Sequence, residues 1–372
     1  MKPNLEWSAL ALVGVCLACD EKAVDTEPRQ SQPASRRVSS SVIEVRAELA
    51  SPTAFDLISS FDGAKLVWAP KAEGAEVREQ SIAKDGRLKG APVRLLHTSG
   101  ARGRATDLVA AQLDRGVAAA WVEQLGDEAR ANAFVTGAAG AASNIVDLGP
   151  AWPTRTEHRG NIALAGGREY ALVFVRGAEE PCSEGQTQCF GFGLYRLSPE
   201  DAANARGLPL SVPVPCSEHS TSLAIVRGRW HYAVCTLLGA APVTTVFNIQ
   251  FEPEYAAAEQ LLEGCRPLGL FEHADDVWLS ADCAGKRRIT NATGTPRTSH
   301  DLSKLVFDCP SGEPTLSGGD FALRLGLPRG QVHALLGEPW VPAHGRAVWT
   351  GGALVVASEH DGSVRLTRYA CE

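Results

Sequence analysis

Two short polar stretches, "TEHRGNI" and "SEHSTSL", each set a glutamate beside a histidine: Glu157 with His158, and Glu218 with His219. A neutral imidazole ligates divalent metals, and a protonated one attracts anions. Paired carboxylates and imidazoles in two neighbouring loops could therefore hold a cation, or with a guanidinium clamp an anion. Arg104 stands at the corresponding point one unit earlier and supplies that guanidinium, with Thr53 at the point before it. The same residue types are also ordinary solvated loop side chains, and only two stretches share the pair. Arg104, Glu157, His158, Glu218 and His219 are thus candidate ligand contacts, with no catalytic residue and no metal ligand assigned. His273 follows Glu272 but comes later in its segment, and His300 and His344 are expected in loops.

Other chemistry is absent from the sequence. No GxSxG, HExxH or phosphate-cradling glycine loop followed by lysine occurs, so no cofactor is implied. "GARGRATD" (100–107) is rich in small and basic residues but has no helix to follow it, and reads as a loop. "FDG", "KDG" and "HDG", starting at 61, 84 and 360, read as hairpin turns, because Asp-Gly tolerates the positive backbone angles of tight turns. "NAT" at 291 matches an N-glycosylation sequon, which means little if the chain is bacterial. A net charge of -7 without a long basic run offers no footprint for nucleic acid.

Cysteines point to a compartment. Ten are present; Cys16 and Cys19 stand near the N-terminus, and the rest are Cys182, Cys189, Cys216, Cys235, Cys265, Cys283, Cys309 and Cys371. No CxxC pair occurs among the later eight, which argues against a zinc site or a thioredoxin-like motif. An even set in an exported chain reads as disulfides; buried free thiols in a cytosolic chain are the alternative.

The first residues carry one base, Lys2, offset by Glu6, then an apolar run from Trp7 to Leu17. That run is the length of a signal-peptide core and too short to span a bilayer, which needs about 20 apolar residues. Ala18 precedes Cys19, and from Asp20 to Ser41 the chain turns polar with Pro28, Pro33 and several serines. This layout resembles the leader of a bacterial lipoprotein, although Cys16 and Leu17 stand where such leaders usually carry leucine and a small residue. The resemblance implies that Cys19 is lipidated and becomes the mature N-terminus, anchoring the chain to the membrane in the bacterial cell envelope, at the outer membrane or periplasmic face. Plain secretion after nearby cleavage, or no export, are the alternatives. Residues 1–18 are then a signal peptide, 19–41 a lipidated cysteine with a disordered tether, and 42–372 a single folded domain.

Past residue 41 one local pattern returns: a short apolar strand, a turn of Gly, Asp or Arg, and a second strand that is nearly all apolar. It reads "FDLISSFDGAKLVWA", "TDLVAAQLDRGVAAAWV", "GNIALAGGREYALVFV", "SLAIVRGRWHYAVCTL" and "LGLFEHADDVWLSADC", with second-strand anchors at Trp68, Trp121, Phe174, Cys235 and Leu279. More polar, alternating segments follow each hairpin. Buried inner strands and an exposed outer one, repeated about every 45–55 residues, describe the four-stranded blades of a β-propeller. "GGDFALRLGLPRGQVHALLGE" supplies a sixth hairpin, and the terminal "RAVWTGGALVVASEHDGSVRLTRYAC" follows too soon for a full extra unit. The fold is therefore all-β, a propeller of six or seven blades with seven favoured. Its last blade lacks a strand that "SVIEVRAEL" (41–49) could supply, which would remove free sheet edges. One or two β-sandwiches are the alternative. "PEYAAAEQLLEG" (253–264) could form a turn or two of helix.

Repeat positions suggest the disulfide pairs. Cys216 and Cys235 lie 19 residues apart, and Cys265 and Cys283 lie 18 apart, each pair running from the end of one unit into the second strand of the next. Cys182 and Cys189 flank a hairpin loop, and elimination leaves Cys309 with Cys371. Trp68, Trp121, Trp278 and Trp349 read as core residues between blades, whereas Trp152 and Trp340, next to prolines, would be partner anchors if exposed. Together these features favour a non-enzymatic binding scaffold for a protein or glycan partner. The alternative is a propeller hydrolase or lyase acting on glycans, with its site in the channel-mouth loops.

Overall fold

The computed structural model describes residues 38–71, 76–97, 103–137, 145–151, 161–180, 189–199, 206–208, 222–226, 229–238, 241–249, 257–273, 276–292, 298–302, 305–310, 314–325, 332, 335–336 and 344–371. Every one of them is strand, turn or connecting segment. Strand β1 (Val38–Val45) is the first described element, and its first four residues fall inside the stretch read as tether. Four blades of four strands follow. The first holds β2 (Phe55–Ser60), β3 (Gly63–Trp68), β4 (Glu76–Ala83) and β5 (Leu88–His97). The second holds β6 (Arg104–Leu113), β7 (Gly116–Leu125), β8 (Glu128–Val135) and β9 (Val146–Pro150). The third has β10 (Ile162–Gly166), β11 (Ala171–Glu180), β12 (Cys189–Leu197) and β13 (Arg206–Leu208). The fourth has β14 (Ser222–Val226), β15 (Arg229–Leu238), β16 (Ala241–Ile249) and β17 (Ala257–Glu263).

A fifth blade contains β18 (Cys265–His273), β19 (Asp276–Cys283), β20 (Lys286–Asn291) and β21 (Ser299–Leu302). A three-stranded sheet, β22 (Val306–Asp308), β23 (Thr315–Gly318) and β24 (Phe321–Arg324), comes next. The closing blade is β25 (Arg346–Trp349), β26 (Leu354–His360), β27 (Ser363–Cys371) and, as its outer strand, β1. All pairings are antiparallel. Six complete blades thus stand in a ring as a β-propeller, not the seven favoured from the sequence, because the unit between the fifth and closing blades is an abbreviated three-stranded sheet that shares one apolar cluster with both. First strands lie against one another in order, β2 on β6, β6 on β10, β10 on β14 and β14 on β18, and β2 also meets β25. A ring of this kind replaces the sandwich alternative.

Packing explains why second strands are nearly all apolar. On β7, Ala118, Ala120 and Val122 join Ile162, Val173 and Val175 of the third blade. The alternate residues Val117, Ala119 and Trp121 join Ile58, Val67 and Ala69 of the first blade. Successive side chains point to opposite faces of a strand, so a strand between two blades is buried on both. Small alanines let the sheets approach, and adding volume there forces strain. Trp68, Trp121, Trp278 and Trp349 are all buried in these clusters. Hairpin turns follow the glycines: Gly63 has φ +136°, and a Cβ there would sit 2.2 Å from the Ile82 carbonyl oxygen.

Ring closure uses both ends of the described chain. Val38 to Val45 pair antiparallel with Cys371 to Val364, so the N-terminal strand completes the last blade as expected, three to four residues earlier than the 41–49 read from the sequence. Bridges Cys265–Cys283 and Cys309–Cys371 are both formed. Cys182 and Cys216, and the side chains of Cys189 and Cys235, lie outside the described residues, as do Trp152 and Trp340. Two disulfides fit an oxidising, extracytoplasmic setting. No helix among the described residues is long and apolar enough to cross a membrane.

Three local readings are corrected. Ala257–Glu263 is a strand rather than helix, because β16 presents a free edge whose backbone groups need partners, and that demand outweighs the tenths of a kcal/mol in helix propensity. Arg104 to Asp107 of "GARGRATD" open strand β6 instead of ending a loop. The sixth hairpin is shifted: Phe321–Arg324 is the second arm, paired with Thr315–Gly318 around Gly319 at φ +63°.

Candidate functional site

First strands of all blades start from the same end of the ring, termed the leading face. Arg104, the first residue of β6, is exposed there and its Nε donates to the Ala50 carbonyl at 2.6 Å. Glu157, His158, Glu218 and His219 precede β10 and β14 in the chain and lie outside the described residues. Next to Arg104, the Gly103 amide donates to Glu123 Oε1 at 2.8 Å, and Asn132 Nδ2 donates to Glu123 Oε2 at 2.9 Å.

Below this rim the structure reveals polar groups that sequence reasoning missed. A bulge interrupts β6 between Thr106 and Val109, and Asp107 within it takes φ 49°. Bulges re-aim backbone groups, and aspartate is among the residues that tolerate this conformation. The bulge turns two amides toward the first blade: Asp107 N donates to Thr53 Oγ1 at 3.0 Å and Leu108 N to the Thr53 carbonyl at 3.1 Å. Asp107 Oδ2 in turn accepts from Asn161 N at 2.9 Å, on the threshold of the third blade. Thr53, Asp107 and Asn161 are therefore equivalent positions, 54 residues apart at each step. The same step pairs Arg104 with Ala50, so the alignment of Thr53 with Arg104 is out by three residues.

Asp56 does the same work across three first strands. Its Oδ1 accepts from its neighbour Leu57 N at 2.9 Å and from Arg346 Nε of the closing blade at 2.9 Å. Its Oδ2 accepts from Ala110 N of the second blade at 2.8 Å. Asp56 and Asp107 are buried at 2% and 0% exposure. Carboxylates engaged by backbone amides of adjacent blades are staples of the ring, and the hydrogen bonds offset the cost of taking charge out of water. In the sequence Thr53, Asp107 and Asn161 stand directly before the apolar residues of each first strand, but the bulge that turns Asp107 toward Thr53 carries no local signal.

A second grouping lies where the fifth blade meets the three-stranded sheet. His273 ends β18, and His300 lies in strand β21 rather than in a loop. Both imidazoles rest on the Phe321 ring, at 5.4 and 5.8 Å between centroids, and on Trp278, at 5.5 and 5.9 Å. Trp278 Nε1 donates to the His273 carbonyl at 3.1 Å. His300 Nδ1 lies 3.0 Å from Asp320 Oδ1. Burial, with the neighbouring His300, pushes the His273 imidazole below the ordinary histidine value. The hydrogen bond from His300 holds Asp320 below the ordinary carboxylate value. Among the described residues, no three His, Cys, Asp or Glu side chains come together as a metal-ligand set. Asn291 of the sequon is buried and its amide donates to Asp276 Oδ2 at 3.2 Å, so that side chain is engaged inside the blade.

No family model matches the chain, and no curated protein matches it. Solved structures do. The hemagglutinin-neuraminidase ectodomain of parainfluenza virus 5 aligns at TM-score 0.43 and 8% identity, over 89% of this chain and 84% of that one. Trypanosoma rangeli sialidase aligns at TM-score 0.41 and 9% identity over 89% of this chain, which spans 59% of the sialidase. At such identities the likeness concerns the arrangement of sheets, and nothing about chemistry follows from it.

Proposed function

We propose that this chain is a bacterial envelope protein, anchored through lipid on Cys19, whose propeller is a non-enzymatic scaffold that binds a protein or glycan partner at the leading face. The supporting observation is the use of the buried carboxylates there: Asp56 and Asp107 join neighbouring blades through backbone amides. A platform held this way is rigid, and preorganised surfaces bind with a smaller ordering cost. Contacts to the partner then come from Arg104 and from the loops carrying Glu157, His158, Glu218 and His219.

Two measurements test the reading. Growth with labelled palmitate should label the wild-type chain and leave Cys19→Ala unlabelled; an unlabelled wild type removes the anchor. For the scaffold, purified protein is presented to an array of bacterial envelope glycans, and a photo-crosslinker at position 104 reports protein partners in the producing cell. Retention that is lost in an Arg104→Ala, His158→Ala, His219→Ala triple variant with unchanged unfolding midpoint supports the scaffold. Cleavage of an array glycan that disappears in Glu157→Gln or Glu218→Gln replaces it with the hydrolase or lyase reading.

A further inference from the structure

We propose that the junction between the fifth blade and the three-stranded sheet is a pH-sensitive latch, built from His273 and His300 closing on Phe321. The geometry carries it. Phe321 is 3% exposed and Trp278 7%, and the two half-buried imidazoles close over them. Two imidazoles from opposite edges of one blade, the first strand and the outer strand, reach the same ring of the next sheet. Trp278 stacks on His300 and meets His273 edge-on, completing the box.

Charge distribution around the box is lopsided. Asp320, on the turn before β24, faces His300 at 3.0 Å. Asp276 on β19 accepts from Asn291, and Asp301 on β21 accepts from Arg288 at 2.9 Å. Arg324 on β24 is exposed, on the strand face opposite Phe321. Asp276 stands opposite His273 in the register of β18 and β19, and His300 is the neighbouring imidazole. Burial, and then the neighbouring His300, disfavour the charged form of His273.

The sign follows. A histidine whose value is lowered on folding contributes stability that is complete above its unfolded value of about 6.5 and is lost as pH falls below it, toward the folded value. Below that window the unlatched state gains, because there His273 titrates freely. The released element is the three-stranded sheet, whose strands have three or four residues each. Cys309 remains tied to Cys371, so the sheet opens without leaving the closing blade. An imidazole pair biasing a short element is the general form of a histidine switch.

Amide hydrogen exchange of the purified protein, corrected for intrinsic rates, reads the latch directly. Between pH 7.5 and pH 5.0, protection of residues 315–325 should fall at least about tenfold while β7 and β26 keep theirs; tenfold corresponds to about 1.4 kcal/mol. His273→Phe should abolish the dependence, and Asp320→Asn should deepen it. Equal protection of 315–325 at both pH values overturns the proposal, and so does an unaltered dependence in His273→Phe. Should that variant fail to fold, the His273 ring titration in the wild type, followed by NMR, decides: a value at or above 6.5 also overturns it.

Discussion

Blades one to three are joined by hydrogen bonds that recur at a single spacing, whereas the fifth blade, the three-stranded sheet and the closing blade are joined by a disulfide and a box of rings. In the regular part each first strand starts at the same height, so an amide of one blade meets a side-chain oxygen of the blade before it, 54 residues away. In the irregular part the sheet between the fifth and closing blades has three short strands, and among the described residues no link at that spacing is found. Cys309–Cys371 and the cluster of His273, Trp278, His300 and Phe321 hold that part instead. Where repeats keep their length, polar groups already present in each unit suffice to link neighbours; where length is lost, the link must be built from longer-range contacts.

The comparison can be broken most severely at the seam. A chain starting at residue 47 lacks β1, leaving the β27 edge unpaired and the cluster around Val45, Leu57 and Leu366 open. Its unfolding midpoint should fall by more than about 5 °C relative to a chain starting at residue 36, as loss of a few kcal/mol dictates. Equal midpoints would mean that β1 does not close the ring. Replacing Cys309 and Cys371 together with serine should cost about 2–4 kcal/mol in denaturant unfolding, since the bridge closes a loop between positions 62 residues apart. Exchange should rise in residues 306–325 and stay unchanged in the second blade. The smallest effect is expected from Arg130→Ala, whose partner Asp147 is half exposed on the rim of the second blade. Such surface pairs are screened, and the midpoint should stay where it was.

Much of the ring was legible in the sequence. Apolar pairs of strands around Gly or Asp-Gly turns, the tryptophan anchors and the missing strand of the last blade are local patterns, and β1 with Cys371 to Val364 meets the expectation. Cys265 and Cys283 could be paired because they occupy repeat-equivalent ground. Local patterns failed where a distant partner decides. Ala257–Glu263 is helical in composition and extended in fact, because β16 supplies its partner. Asp107 could not be recognised as a staple without knowing that a bulge turns its amide toward Thr53. His273, His300 and Phe321 come from three separate strands, and no spacing announces their meeting. Glu157, His158, Glu218 and His219 are outside the described residues, so their expected role passes to the proposal.

The central claim is that buried polar groups under the leading face hold the blades to one another, and Asp56 with Arg346 is its sharpest instance, joining the first and closing blades at 2.9 Å. A double-mutant cycle with Asp56→Asn and Arg346→Gln in denaturant unfolding tests it. Each single change should cost about 3–5 kcal/mol by leaving a buried charge alone, and the pair together should cost less than the sum by more than about 1 kcal/mol. Costs that simply add would contradict the claim.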